Sequence, residues 1–172
     1  MHPPYLKHQA VDPEREYWHA MLGFNYRMSN ICAAIGLAQI EKISNILSRK
    51  RLIAQRYNEG LSGLPLCMQF EATNTVNSFW LVAIVVRDLT DRDALRQSLA
   101  ANGIETRPFF YPVNLLPHLA NGQQLPVAEY IADRGLCLPS FPTLSDLEQA
   151  RVIDAIKMHF NRALEPKSSY DN

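Results

Sequence analysis

From residue 29 onward the apolar positions keep two rhythms, a helical beat of three and four residues and short strand-like runs. Ser29 or Asn30 offers an N-cap, after which Ile31, Ile35 and Ala38 share one face. Ala33, Ala34 and Gly36 leave room there for close packing. A second stripe, Ile43, Ile46, Leu47, Ile53, Tyr57 and Leu61, predicts a long helix that ends near Gly60, Gly63 and Pro65. Asn45 and the Leu47-Ser48 pair are the expected kink between the two stripes. Ahead of them, residues 1–22 carry Pro3, Pro4 and Pro13 without a sustained period and read as an extended or loop-rich lead-in.

Leu66 to Phe70 and Ser78 to Arg87 are strand candidates, the second rich in β-branched and aromatic residues. Thr90-Asp91-Arg92-Asp93 reads as a helix start, and Leu95 and Leu99 carry that helix to a stop at Asn102-Gly103. Ile104 to Phe109 is a third strand candidate, and residues 111–126 form a loop around Pro112, Pro117 and Pro126. Val127 to Arg134 predicts a short helix stopped by Gly135, with Leu136 to Leu138 a short strand after it. Ser145 and Glu148 have capping-box spacing before the stripe Val152, Ile153, Ile156, Phe160 and Leu164. This order describes a small α+β domain over residues 46–164, entered by a connecting helix and followed by a loose polar tail at 165–172.

Composition narrows the class. Hydrophobic residues make up 47% and charged residues 20% of the 172, which suits one well-buried core. Seventeen basic and 17 acidic residues cancel, which argues against nucleic acid as an electrostatic partner. Cys32, Cys67 and Cys137 are odd in number and widely spaced, and read as buried small hydrophobes of a reducing compartment. No apolar run reaches membrane-spanning length, and the first residues lack the apolar core of a signal peptide, so the expectation is a cytoplasmic protein without a membrane partner. His2, His8, His118 and His159 share no ligand spacing, so no metal site is assigned. Lys7, Lys42, Lys50, Lys157 and Lys167 sit among polar neighbours, and none reads as catalytic. Nucleotide-loop, nucleophile-elbow and zinc-protease motifs are absent from the sequence.

Three clusters can carry chemistry. Asn25, Tyr26 and Arg27 follow a glycine turn and precede the first helix; an amide and a guanidinium there suit an anion, and a plain surface turn suits them equally. Arg107-Pro108-Phe109-Phe110-Tyr111-Pro112 would make a lip for a flat or sugar-like ligand, or a strand end whose aromatics seal the core. Tyr17-Trp18-His19 could place a titrating imidazole between aromatics, or simply pack.

Read together, the Tyr17-Trp18-His19 triplet, the Gly23 to Gln39 stretch, the Arg107-to-Pro112 lip and Gly135-Leu136-Cys137-Leu138-Pro139-Ser140 resemble the DegT/DnrJ/EryC1/StrS sugar aminotransferases. These are fold-type-I enzymes dependent on pyridoxal phosphate. The resemblance implies the C-terminal small domain of such a transferase, with residues 1–45 the end of the large domain and the start of its connecting helix. It implies a homodimer, a nucleotide-sugar substrate with a 4-keto-6-deoxy sugar, and glutamate as amine donor. Asn25 matches the asparagine that reaches the neighbour's cofactor phosphate; Tyr26 and Arg27 would lie near the substrate diphosphate. Arg107 and Phe110 match the loop that closes over the substrate. Where that loop continues Pro-x-His in the family, this chain reads Pro112-Val113-Asn114. The Schiff-base lysine of the family falls outside the matching stretch, so no catalytic residue is assigned. Pyridoxal phosphate is expected in the complete enzyme and not on this chain alone. A non-catalytic interaction module, half of a split enzyme, or a lysine-less sugar dehydratase of the same family are the alternatives.

Overall fold

The computed structural model describes residues 28–120 and 122–164, which fall in two compact units, residues 1–44 and 45–172. In the first, helix α1 (Asn30–Ile40) starts where the sequence predicts: the Ser29 hydroxyl accepts from the Cys32 N–H at 3.3 Å. None of its residues is buried. A two-residue turn at Glu41-Lys42, with Glu41 still right-handed helical (φ −58°, ψ −26°), separates α1 from α2 (Ile43–Gly60), which runs unbroken through Asn45 and Leu47-Ser48, so the expected kink there does not occur. Asn and Ser cost a helix interior only tenths of a kcal/mol, and the packing of the α2 stripe overrides them. Among the described residues no single helix is long and apolar enough to cross a membrane.

The second unit is built on a four-stranded antiparallel sheet in the order β1-β2-β4-β3, where β1 is Leu66–Met68, β2 Val82–Val86, β3 Arg107–Pro108 and β4 Gly135–Leu138. The central pair is the driest: Val82, Ala83, Ile84 and Val86 of β2 and all four residues of β4 are buried. Helices α3 (Leu89–Ala101), α4 (Pro126–Arg134) and α5 (Asp146–Leu164) complete the unit. One core joins Ile53 and Tyr57 of α2, Leu95 and Leu99 of α3, and Val152, Ile156 and Phe160 of α5 to the sheet residues Ile84 and Leu136.

Two helix ends follow their local chemistry closely, whereas α3 begins at Leu89, which puts Thr90 inside the helix and not at its cap. The Glu148 carboxylate accepts from the Ser145 N–H at 2.8 Å, while the Ser145 hydroxyl accepts from the Glu148 N–H at 3.2 Å, a reciprocal capping box. At the other end of α3, the Ile104 N–H reaches the Leu99 carbonyl and the Gly103 N–H the Ala100 carbonyl, both at 2.9 Å. Gly103 is left-handed there, with φ +70°, and Ile104 and Leu99 are both buried, which is the Schellman arrangement.

Strands are shorter than their patterns. Phe79 takes φ +47° and takes the chain out of extended geometry, so the Ser78 to Arg87 run pairs only over Val82–Val86. Ile104 is spent on the α3 cap, which reduces the Ile104 to Phe109 run to two paired residues. Gly135 is not a left-handed helix stop; it is extended (φ −81°, ψ 140°) and opens β4. Its lack of a side chain serves packing: a Cβ there would lie 2.6 Å from the Phe109 Cβ and 2.6 Å from the Ile131 carbonyl oxygen.

Candidate functional site

An open cavity of about 740 Å³ lies in the second unit, between α2, the entry to β2, β3 and the turn after β4. Its walls include Lys50, Trp80, Arg107, Ser140 and Arg151. The volume is ordinary for a small-molecule site.

Lys50 is the buried surprise, 8% exposed. It sits on the α2 face of Ile46, Ile53 and Tyr57, at helical steps of four, three and seven, filling the gap in the stripe between Leu47 and Ile53. Its ammonium donates to the Trp80 carbonyl at 2.8 Å, to the Ser140 carbonyl, and to the Ser140 hydroxyl at 3.3 Å. Burial pushes its pKa below the ordinary lysine value. The sequence reading, which placed all five lysines among polar neighbours, is corrected here; the interrupted stripe was the signal. Two helical turns on, the Tyr57 hydroxyl donates to the Pro139 carbonyl at 2.9 Å, and burial raises its pKa. Together Lys50 and Tyr57 bind α2 to the exit of β4.

The Arg107 lip divides its labour. Phe109 is half-buried and packs on Gly135. Phe110 and Tyr111 are exposed. Phe110 lies nearly parallel to Trp80, with ring centroids 6.3 Å apart and planes at 8°, and meets Phe109 edge-on at 5.5 Å. Arg107 is exposed on the cavity wall, opposite Cys137 in the β3–β4 register. Burial raises the Cys137 thiol's pKa and the Arg107 charge partly opposes it.

Trp80 stands beside the strained residue. A non-glycine residue in the left-handed region costs on the order of 1–3 kcal/mol and persists only where its surroundings hold it. Here they do. The Asn77 side-chain carbonyl accepts from the Phe79 N–H at 2.8 Å, Glu71 accepts from the Asn77 N–H at 2.8 Å, and Arg51 donates to the Asn77 carbonyl at 2.7 Å. Sequence reasoning put Trp80 inside a strand, because nothing in a Phe-Trp pair announces a positive φ.

Asn114, where the family loop carries histidine, is 8% exposed and internal to the protein. Its amide donates to the Gln123 carbonyl at 2.9 Å and to the Glu129 carboxylate at 2.8 Å, and the Leu125 N–H donates to the same carboxylate oxygen at 3.1 Å. The Leu125 N–H and then Asn114 hold Glu129 below the usual carboxylate pKa. Residue 114 closes the loop on itself.

Asn25, Tyr26, Arg27 and the Tyr17-Trp18-His19 triplet lie outside the described residues. His159 packs edge-on against Phe160, and burial lowers its pKa against an opposing pull from Asp91. Cys32 and Cys67 are exposed, contrary to the expectation of three buried thiols; only Cys137 is buried. Cys32 lies on α1, which buries nothing, and Cys67 points away from the core on the edge strand. No group of three or more His, Cys, Asp or Glu among the described residues could hold a metal ion. Lys50, the one buried lysine among the described residues, does not fit a Schiff base to pyridoxal phosphate. A Schiff-base nitrogen must offer a free lone pair, whereas the Lys50 nitrogen is committed to three oxygens.

With this geometry in hand, the comparisons with known proteins agree. The DegT/DnrJ/EryC1/StrS aminotransferase family profile matches residues 5–157. A GDP-perosamine synthase of Vibrio cholerae is 42% identical over 161 residues, 91% of this chain and 44% of that protein. Among solved structures, the aminotransferase TlmJ from Streptoalloteichus hindustanus superposes with a TM-score of 0.83 at 25% identity, over 92% of this chain and 44% of that one. The PLP form of Spr1654 from Streptococcus pneumoniae gives 0.81 at 27% identity, over 94% and 43%. The chain thus spans less than half the length of the relatives it matches, and its α+β architecture is that of part of a fold-type-I aminotransferase.

Proposed function

This chain belongs to the DegT/DnrJ/EryC1/StrS aminotransferase family, and on that premise we propose that it is the C-terminal part of a pyridoxal-phosphate-dependent nucleotide-sugar aminotransferase. The reaction is amino transfer from glutamate to a 4-keto-6-deoxy sugar nucleotide of the perosamine type, in a cytoplasmic homodimer serving surface-polysaccharide synthesis. Pyridoxal phosphate, when bound by the complete enzyme, supplies the electron sink for the transfer. This chain's residues bind and orient. By the family resemblance, Asn25 would hold the cofactor phosphate of the neighbouring subunit, and Tyr26 and Arg27 would serve the substrate diphosphate. Arg107 offers a fork of donors to a negative group, and Phe110 covers a ring face.

The observation that carries the reading is the exit of β3. Arg107 lines an open cavity that Trp80 also lines, and Phe110, 59% exposed, stacks on Trp80, so a guanidinium and a pair of parallel rings are presented together. By itself the chain is expected to carry out no transfer. Purified and given pyridoxal phosphate, glutamate and GDP-4-keto-6-deoxymannose, it should form neither an amino sugar nor a borohydride-reducible cofactor adduct. Turnover together with such an adduct would overturn the reading. Co-expression with the coding sequence upstream should restore amino-sugar formation.

A second reading, an interaction module, is favoured by α1, whose Ile31, Ile35 and Leu37 are all exposed. A co-expressed pair that forms a stable complex yet stays inactive would select it.

A further inference from the structure

We infer that Trp80 is a nucleobase-stacking residue: the flat base of a nucleoside diphosphate extends the Trp80–Phe110 ring stack at the mouth of the cavity. The inference rests on the nucleotide-sugar reading above and adds to it a residue that neither the lip motif nor the family resemblance picks out.

Four observations converge on it. The indole is 72% exposed and its plane lies 8° from that of Phe110, so a planar ring can lie on its free face. Trp80 and Phe110 are both exposed, and neither belongs to the buried core cluster, so neither ring is held in place by core packing. The backbone beneath Trp80 is held on both sides. Asn77 fixes the Phe79 N–H at 2.8 Å, and the buried Lys50 ammonium fixes the Trp80 carbonyl at 2.8 Å. A left-handed phenylalanine and a desolvated ammonium are therefore committed to displaying a ring that adds little to the core. Finally, Arg107 lines the same cavity of about 740 Å³ and offers the donors that a diphosphate accepts. A sugar alone would be served by one ring face; a planar π-system matches a stack of parallel rings.

The test uses the full 172-residue chain and GDP as the probe, read by saturation-transfer NMR on the base H8 and ribose H1′ protons. The wild-type chain should saturate H8. Trp80→Ala should weaken GDP binding about ten-fold, as loss of one base stack does, while Trp80→Phe keeps most of it. Because the indole is exposed, both variants should retain the wild-type circular dichroism. Absence of H8 saturation in the wild type, or equal saturation in Trp80→Ala, would overturn the inference. The complex with the upstream segment separates the two readings. Amino transfer with a nucleotide-sugar KM that ignores Trp80→Ala refutes the stacking role and leaves the aminotransferase reading standing. H8 saturation through Trp80 in a complex that transfers no amine supports the stacking role and refutes the aminotransferase.

Discussion

Helices α1 and α2 follow one another in the chain, yet only one of them has a buried face. In α1, Ile31, Ile35, Leu37 and Ile40 all remain exposed, and apolar residues circle the whole helix. In α2, Lys50, Ile53, Ala54 and Tyr57 form one buried stripe against a charged outer face. A helix that is apolar all round belongs in the interior of something larger, whereas a striped helix covers a domain of its own size. A serine cap starts α1, but an 11-residue helix is marginal on local propensity alone, and under the aminotransferase reading its apolar surface packs on further polypeptide of the enzyme.

The sharpest way to break this contrast is a pair of truncations. Ile84→Ala, at a fully buried position of the central strand, should lower stability by about 3 kcal/mol in urea unfolding. Ile35→Ala, of the same chemistry on α1, should change it by less than about 0.5 kcal/mol. A smaller loss, about 2 kcal/mol, is expected for Lys50→Ala, which strands the Trp80 and Ser140 carbonyls without their donor. Ser145→Ala removes one half of the α5 capping box and should cost about 1 kcal/mol.

Acid gives a gentler probe. Hydrogen bonds from Arg56 and then Arg49 hold Asp146 below the usual carboxylate range, and the Ser145 hydroxyl and N–H do the same for Glu148. A carboxyl whose folded-state pKa is depressed stabilises the fold fully above its unfolded value, about 4, and loses that contribution as the pH falls through the lower folded value. The urea midpoint of the second unit should therefore drop on acidification, and Asp146→Asn should flatten part of the fall. The sequence of α1 holds no carboxylate between Asn30 and Ile40, so its helicity should not respond. Least of all should stability respond to serine at Ile31, Ile35 and Leu37 together; reduced self-association in light scattering is the expected gain.

What was readable in the sequence was mostly local. The Ser29 cap, the Ser145–Glu148 box and the Asn102-Gly103 stop each depend on residues within a turn of one another, and all three stand as their spacing predicts. Strand limits were not readable, because they depend on what else claims a residue: Ile104 serves the α3 cap and Phe79 the left-handed turn. The site was half legible. Arg107 and Phe110 could be singled out as a motif, but the split between an inward Phe109 and an outward Phe110 depends on Gly135, 26 residues on from Phe109. Lys50 had a trace in its stripe. Trp80 had none, since its display rests on the bond from the Phe79 N–H to Asn77 and on the Lys50 ammonium at its own carbonyl.

Asn114 has an evolutionary consequence. By donating to the Gln123 carbonyl and the Glu129 carboxylate, it ties the two ends of the intervening loop to each other. The segment between them is expected to tolerate insertion, deletion or exchange while the anchors hold. Lineages that keep the asparagine and the glutamate are thereby free to remodel this part of the surface at little cost to the rest of the domain.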